Sequence, residues 1–162
     1  MNAMVPAALG LGGNVGDVRS ALRRALEALA SHPEVELVAK SSLYRTSPWG
    51  PVAQPSFLNM AALVRTRLSP HGLLDLCLAI EMAEGRVRTE RFGPRTLDID
   101  ILAFGDLVSC DDRLTLPHPR LLERAFALVP LAEIAPGLVI GGLAAEEAAA
   151  RIDRAGIERL EG

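Results

Sequence analysis

One short alternating segment constrains the fold more than any other part of this chain. From residue 97 to residue 102 the sequence is Leu-Asp-Ile-Asp-Ile-Leu, and this period of two is typical of a β-strand with one buried face. Side chains two residues apart leave the same face, so Asp98 and Asp100 are predicted to lie side by side, with Cα atoms roughly 6–7 Å apart. The apolar residues beside them are predicted to enter the core.

Arginines dominate the segment directly before this strand: Arg86, Arg88, Arg91 and Arg95. Their planar, permanently charged groups suit phosphate. Mg²⁺ binds one or two carboxylates and fills its other positions with water and phosphate oxygens, and two ions about 3.5–4 Å apart would also fit the aspartate pair. The segment therefore predicts a polyphosphate–metal site. The alternation alone leaves another interpretation open, an edge strand with solvated acids beside a basic loop.

Composition indicates an ordinary globular protein. The 162 residues are 49% hydrophobic and 23% charged, with a net charge of −3, which predicts a single domain over residues 1–162 and gives no support for a nucleic-acid partner. Cys77 and Cys110 form no CxxC pattern, and neither a signal peptide nor a membrane span is recognised. We therefore expect reduced thiols and a cytoplasmic monomer without membrane or nucleic-acid partners.

Hydrophobic periodicity predicts the order strand, helix, strand, strand, helix, strand. The strands are expected over residues 4–11, 35–43, 57–64 and 97–102, and the helices over residues 18–30 and 70–84. This βαββαβ order is that of a ferredoxin-like α+β fold, an antiparallel sheet with both helices on one face. Turns are expected at 104–107 and 111–113, as a C-terminal hairpin, and helices over 128–135 and 143–160.

The glycine-rich residues 10–17 invite comparison with a phosphate-binding loop. They lack the Gly-Lys-Ser/Thr of one such motif, and Val15 stands where GxGxxG requires its last glycine. We interpret them as a strand-to-helix turn in which Asn14 or Asp17 caps the helix. Direct contact with a ligand stays open.

Three further features are candidates for ligand contact. Residues 44–55 contain three prolines and are predicted to form a functional loop, in which Trp49 either packs locally or covers a flat ligand. Asn59 is a lone amide on an apolar strand. Its side chain either hydrogen-bonds to the edge of a heterocyclic ligand or makes its hydrogen bonds within the strand. His118 lies between two prolines on a loop, where phosphate contact and a structural role are both open.

The motifs together resemble a known family. The most specific is Arg91-Phe92-Gly93-Pro94-Arg95-Thr96-Leu97-Asp98-Ile99-Asp100-Ile101-Leu102. Others are Leu11-Gly12-Gly13-Asn14, Tyr44-Arg45-Thr46, Gly50-Pro51, Gln54-Pro55, Leu58-Asn59, Glu81, Gly85-Arg86-Val87-Arg88, Pro117-His118, Arg124 and Phe126. In this order they are similar to 6-hydroxymethyl-7,8-dihydropterin pyrophosphokinase of folate biosynthesis, over nearly the whole chain.

The resemblance implies transfer of the pyrophosphoryl group of ATP to the hydroxymethyl oxygen of the pterin, leaving AMP. It also implies roles by position. Asp98 and Asp100 would bind two Mg²⁺ ions. ATP would be held by Glu81, Arg86, Arg88, Arg95, His118 and Arg124. The pterin would be bound by Thr46, Pro48, Trp49, Phe57, Asn59 and Phe126. Arg86, Arg95 and the two aspartates would carry catalysis.

Three rival functions stay open from the residues alone. An ordinary kinase would make ADP rather than AMP. A ferredoxin-like sensor would bind nucleotide or metal without consuming ATP. An RNA-binding module would need aromatic residues displayed on the sheet with a broad basic face, and the aspartate pair argues against it.

Overall fold

The computed structural model describes residues 3–47, 55–85 and 96–160. Its main strands are β1 (Val5–Gly13), β2 (Val35–Lys40), β3 (Leu43–Thr46), β4 (Phe57–Thr66), β5 (Asp98–Phe104) and, near the C-terminus, β10 (Ile157–Leu160). Four shorter strands form two hairpins: β6 (Ser109–Cys110) with β7 (Thr115–Leu116), and β8 (Val139–Ile140) with β9 (Leu143–Ala144). The helices are α1 (Val18–Ser31), α2 (Pro70–Ala83), α3 (Ala125–Ile134) and α4 (Ala145–Arg151).

A single antiparallel sheet organises the described residues. Its strands run in the order β10-β3-β4-β1-β5, and β2 also pairs with β4. The predicted βαββαβ order and antiparallel sheet are confirmed. The second predicted strand is divided, because Ser41 and Ser42 interrupt it and Ser41 Oγ accepts a hydrogen bond from Ala61 N at 2.8 Å.

Helices cover both faces of the sheet. The face of Leu9, Leu11 and Ile99 packs against α1 and α2 in one buried cluster, as predicted. The opposite face, which includes Ala8 and Ala61, packs against α3 and α4 in a second cluster. Both faces of the sheet therefore contribute to a buried core among the described residues.

The helix boundaries follow from local chemistry. Asp17 caps α1 and accepts a hydrogen bond from Ser20 N at 3.1 Å, which resolves the choice between Asp17 and Asn14. Ser69 caps α2 and Pro70 is its first residue, while Gly85 follows the helix with φ +77°, as its sequence predicts. Among the described helices, none combines the length and apolar character that crossing a membrane requires.

Three predictions of element boundaries and connections need correction. The expected strand over residues 4–11 extends through the glycines to Gly13. The turn near Gly105 is present, but it does not connect two paired strands, because β5 pairs with β1 and not with β6. The predicted turn at 111–113 does connect the paired strands β6 and β7. The expected helix over residues 143–160 is only the seven residues of α4, and the chain then returns to the sheet as β10.

Candidate active site

Three neighbouring strands place Asn59, Gly12 and Asp98 in one row. Gly12 of β1 pairs with Asn59 of β4 on one side and with Asp98 of β5 on the other. Paired residues share a sheet face, so the Asn59 and Asp98 side chains leave the same face, about 10 Å apart at two strand spacings of roughly 4.8 Å. This is the face over which α3 packs.

The two aspartates lie as the alternation predicts. Asp98 and Asp100 are half-buried on one face of β5, while Leu97, Ile99 and Ile101 are buried in the core on the other. Across from the aspartates on β1 are Gly12 and Gly10. Since glycine has no side chain, β1 places no side chain of its own beside either carboxylate.

Glu81 reaches the same strand from the other layer. It is 3% exposed, and its Oε2 accepts a hydrogen bond from Ile99 N, the amide between the two aspartates, at 2.7 Å. β5 is the last strand in the described sheet. The Ile99 N–H, on the edge strand, therefore has its hydrogen-bond acceptor in the buried Glu81 carboxylate of α2 and not in β1.

The buried Cys77 lies near these acids. Burial, together with the negative charges of Glu81 and Asp100, raises the pKa of the Cys77 thiol to about 12. The thiol is protonated at neutral pH and acts as a small core residue, as predicted.

Asn59 is held by two contacts. Its Nδ2 donates to Thr46 Oγ1 of β3 at 2.8 Å, and both residues are buried. A Cβ atom placed on Gly12 would lie 2.3 Å from the Asn59 carboxamide oxygen, closer than Cβ atoms approach. Sequence reasoning selected Asn59 and Thr46 and quoted Gly12 within a motif, but it gave Gly12 no contact with Asn59, although a glycine inside a strand pattern is itself a signal of close approach.

The segment after β7 brings a histidine to the end of β5. His118 N donates to Leu102 O at 2.9 Å, and His118 Nδ1 accepts from Arg120 N at 3.2 Å. Burial and the charge of Arg124 lower the pKa of His118, although Asp98 opposes this shift. At neutral pH the ring is therefore uncharged and carries its proton on Nε2, which makes it a hydrogen-bond donor and not a cation.

Arg124 and Phe126 lie at the N-terminal end of α3. The Arg124 guanidinium lies 5.6 Å from the centre of the Phe126 ring. Within the described part of the chain, Arg124 Nε and Thr96 Oγ1 are buried atoms without a hydrogen-bond partner. A buried donor of this kind calls for an acceptor, and a phosphate oxygen is one. Sequence reasoning quoted Thr96 within a motif but gave it no role.

A cavity of about 260 Å³ opens beside Thr46, Arg124 and Phe126. Ala155 and Gly156, in the turn that leads into β10, also line this cavity. Phe57 shares the Asn59 face of β4, two residues away. The pterin residues that the resemblance implies and that the structure describes thus lie around the ends of β3 and β4 and the start of α3.

The residues present fit a magnesium ion held with phosphate. Among the described residues, no group of three or more His, Cys, Asp or Glu is arranged to hold a metal ion. The pair of Asp98 and Asp100 on one face suits a cation that takes its other ligands from water and phosphate. Five residues with predicted roles, Pro48, Trp49, Arg86, Arg88 and Arg95, lie outside the described residues, so their roles stay predictions.

Comparisons with known proteins agree on one family. The sequence profile described as 7,8-dihydro-6-hydroxymethylpterin-pyrophosphokinase matches residues 8–136. The 2-amino-4-hydroxy-6-hydroxymethyldihydropteridine pyrophosphokinase of Methylorubrum extorquens is 55% identical over 158 residues, 98% of this chain and 100% of that protein. The protein of the same name from Pseudomonas aeruginosa is 46% identical over 94% of each chain.

The fold has solved counterparts as well. A Plasmodium falciparum HPPK-DHPS crystal structure superposes with a TM-score of 0.74 at 16% identity, over 93% of this chain and 45% of that chain. This chain therefore spans less than half of the solved protein. At this identity the likeness supports the fold alone.

Proposed function

Since the chain belongs to the 7,8-dihydro-6-hydroxymethylpterin pyrophosphokinase family, we propose which substrate each group of its site residues binds. The enzyme transfers a pyrophosphoryl group from ATP to the hydroxymethyl group of the dihydropterin in folate biosynthesis. We assign the pterin to the Asn59 end of the three-strand row and the ATP phosphates to the Asp98 end. The row of Asn59, Gly12 and Asp98 is the observation that carries this assignment.

The pterin end recognises a flat heterocycle. The Asn59 carboxamide offers a donor and an acceptor to the edge of a pterin, and Thr46 and Gly12 fix which way it points. Phe57 and Phe126 supply aromatic faces for the ring, with Pro48 and Trp49 as further wall residues. Because Asn59 is buried, the polar edge of the ring would exchange water for these hydrogen bonds on binding.

The phosphate end combines carboxylates for the metal with hydrogen-bond donors for the phosphates. Asp98 and Asp100 would hold Mg²⁺, and the family pattern favours two ions. Bound Mg²⁺ would neutralise charge on the phosphate oxygens. Arg124 and the neutral His118 would donate hydrogen bonds to the phosphates, with Arg86, Arg88 and Arg95 as further cations and Glu81 on the nucleotide side.

Direct transfer of a pyrophosphoryl group requires attack on the β-phosphorus of ATP. The pterin hydroxyl oxygen bonds to that atom and gives its proton to water. The bond from the β-phosphorus to the bridging oxygen breaks, and AMP leaves with that oxygen and its electron pair. The roughly 10 Å between Asn59 and Asp98 leaves room for a hydroxymethyl group to reach a phosphate held beside the aspartates. Positioning and electrostatics supply the catalysis, as in other phosphoryl transfers.

Replacing one aspartate tests the assignment. Asp98→Asn should lower kcat by at least about 10²-fold, the scale of losing one electrostatic contact to the transition state. It should also weaken Mn²⁺ binding, measured by electron paramagnetic resonance with a non-hydrolysable ATP analogue. Asp112→Asn, at an exposed position in the β6–β7 turn, is the matched control. Near-normal turnover and Mn²⁺ binding by Asp98→Asn would contradict the assignment.

A further inference from the structure

The C-terminal strand β10 lies along β3, the strand that carries Thr46. All four residues of β10 pair with β3, from Ile157 opposite Thr46 to Leu160 opposite Leu43. Just before the strand, Gly156 O accepts a hydrogen bond from Ser47 N at 3.0 Å. The backbone around Thr46 is thus fixed from the side opposite β4.

Side chains strengthen the same attachment. Arg45 and Glu158 form an ion pair across the two strands at 3.1 Å. Arg159 Nε donates to Ser42 Oγ at 3.2 Å, and Arg159 also lies 3.8 Å from Glu133 of α3. Exposed pairs of this kind add little stability each, so their effect is to fix the register of β10 on β3.

Thr46 links this attachment to the amide that faces the ligand. Its hydroxyl accepts from Asn59 Nδ2, and the cavity beside it is lined by Ser47, Gly156 and Ile157. A shift of β3 away from β4 would lengthen the Thr46–Asn59 bond and release the carboxamide. The position of Asn59 therefore depends on a strand that itself contributes no side chain to Asn59.

We propose that β10 and the Gly156 turn are a positioning element for the Thr46–Asn59 pair and thereby set the affinity for the pterin. The proposal rests on the proposed function, because it takes Asn59 as the group that reads the pterin edge. It assigns to the C-terminal segment a role in binding one substrate and not the other. Asp98, which marks the phosphate end, lies on β5, three strands away from β3 in the sheet. Among the described phosphate residues, Arg124 shares the cavity with Gly156 and Ile157.

Two glycines allow a matched experiment. Gly156 has φ +82° and Gly142, in the turn between β8 and β9, has φ +83°, so a Gly→Ala change strains both backbones alike. They differ in surroundings: a Cβ on Gly156 would meet Ser47 Oγ at 3.2 Å and Ser47 Cβ at 3.4 Å, whereas a Cβ on Gly142 meets nothing within 4 Å. Only the first change presses on the end of β3.

Calorimetry on the full chain measures the consequence. With Mg²⁺ and a non-hydrolysable ATP analogue present, Gly156→Ala should raise the Kd for 6-hydroxymethyl-7,8-dihydropterin about five- to tenfold, and Gly142→Ala less than about twofold. The Kd for the ATP analogue should be unchanged in both. Equal pterin affinity in Gly156→Ala and wild type, or equal losses in the two variants, would overturn the proposal.

A second measurement needs no variant. Coupling between sites is reciprocal, so binding of the pterin to wild-type protein should slow hydrogen exchange at the Ser47 and β10 amides. Unchanged exchange at these amides would overturn the positioning role while the wild type still binds and converts pterin. A wild type that binds no pterin would instead overturn the proposed function, and the inference with it.

Discussion

Gly12 and Asn59 face each other across β1 and β4 with no room for a methyl group between them. A Cβ on Gly12 would lie 2.3 Å from the Asn59 carboxamide oxygen and 2.9 Å from Leu58 O. This contact gives Gly12 a steric role in a strand that otherwise packs ordinary apolar residues. It also gives the glycine-rich segment a function other than phosphate binding.

Replacing Gly12 should therefore impair the pterin end of the site. Gly12→Ala forces Asn59 out of its position, and overpacking of this kind costs about 1–3 kcal/mol. We expect the pterin Kd to rise by about tenfold or more, with the ATP analogue binding as in wild type. Isothermal titration calorimetry measures both.

Gly10→Ala is the control for that prediction. Gly10 lies on the same strand face two residues earlier, and the atoms nearest to a Cβ there belong to the Leu102 side chain, at 3.5 Å, an ordinary contact distance. Its pterin affinity should match wild type. An equal loss in both variants would show that any change in β1 disturbs the site, and that the contact with Asn59 has no special role.

The hydroxyl of Thr46 should matter more than its methyl group. Thr46→Val is close in shape but removes the acceptor of the Asn59 amide, which leaves a buried donor unpaired at a cost of about 1–3 kcal/mol. We expect KM for the pterin to rise about tenfold, with kcat changed less. Thr46→Ser keeps the hydroxyl and should stay near wild type in steady-state kinetics. A KM in Thr46→Val equal to that of Thr46→Ser would contradict this account.

Glu81 should protect the amide between the two aspartates. Glu81→Ala removes the acceptor of Ile99 N, so exchange of the Ile99 amide in ¹⁵N-labelled protein should accelerate, and the free energy of unfolding should fall by about 1–3 kcal/mol. Glu81→Gln keeps an acceptor oxygen and should fall between alanine and wild type. If the Ile99 amide exchanges at the wild-type rate in Glu81→Ala, the carboxylate does not hold this strand edge.

Tyr44 couples stability to alkaline pH. Burial, with the nearby Glu133 carboxylate that accepts its hydrogen bond at 2.6 Å, raises the pKa of Tyr44 to about 12. The folded state therefore favours the neutral phenol. This contribution is complete below the ordinary tyrosine pKa of about 10 and is lost as the pH rises toward 12.

Tyr44→Phe isolates that contribution. The variant should be less stable than wild type at pH 8, and the difference in unfolding free energy should shrink between about pH 10 and 12, because only wild type loses the phenol's contribution there. Urea denaturation at several pH values measures it. A difference that stays constant from pH 8 to pH 11 would rule out titration of Tyr44 as its source.

Glu133, which accepts the hydrogen bond of Tyr44, couples stability to acidic pH because its pKa is lowered and not raised. Burial acts to raise the pKa of Glu133, but hydrogen bonds from Tyr44 and Ser42, with the charge of Arg159, outweigh it and hold the pKa below its ordinary value. The stabilisation that Glu133 provides is present above the ordinary glutamate pKa, about 4.3, and is lost as the pH falls below it. The hydrogen bond between Tyr44 and Glu133 joins β3 to α3, so it also helps to hold α3 beside the strand that carries Thr46.

The sequence predicted the parts of the fold that depend on local pattern. The strand at Asp98, the face of α1 and the caps at Asp17 and Ser69 follow from periodicity and side-chain chemistry within a few residues. The role of β10 does not. Ile157–Leu160 is four residues long, follows an alanine-rich segment that favours helix, and becomes a strand because it pairs with β3 more than a hundred positions earlier.

The site was predicted in the same uneven way. Asn59, Asp98 and Asp100 stand out as polar residues in apolar strands, and the resemblance assigned their ligands. The contacts that orient them involve Gly12, Thr46 and Glu81 across different strands or layers. Such contacts depend on register, which a single sequence constrains only through the alternation of faces.

The most direct test of the account follows the phosphorus atoms of ATP. Purified protein with ATP, Mg²⁺ and 6-hydroxymethyl-7,8-dihydropterin, observed by ³¹P NMR, should produce AMP and a new pyrophosphate ester together, in equal amounts and only when the pterin is present. Formation of ADP with a pterin monophosphate would contradict attack on the β-phosphorus. Bound ATP that is never consumed would contradict catalysis at the Asp98 end of the site altogether.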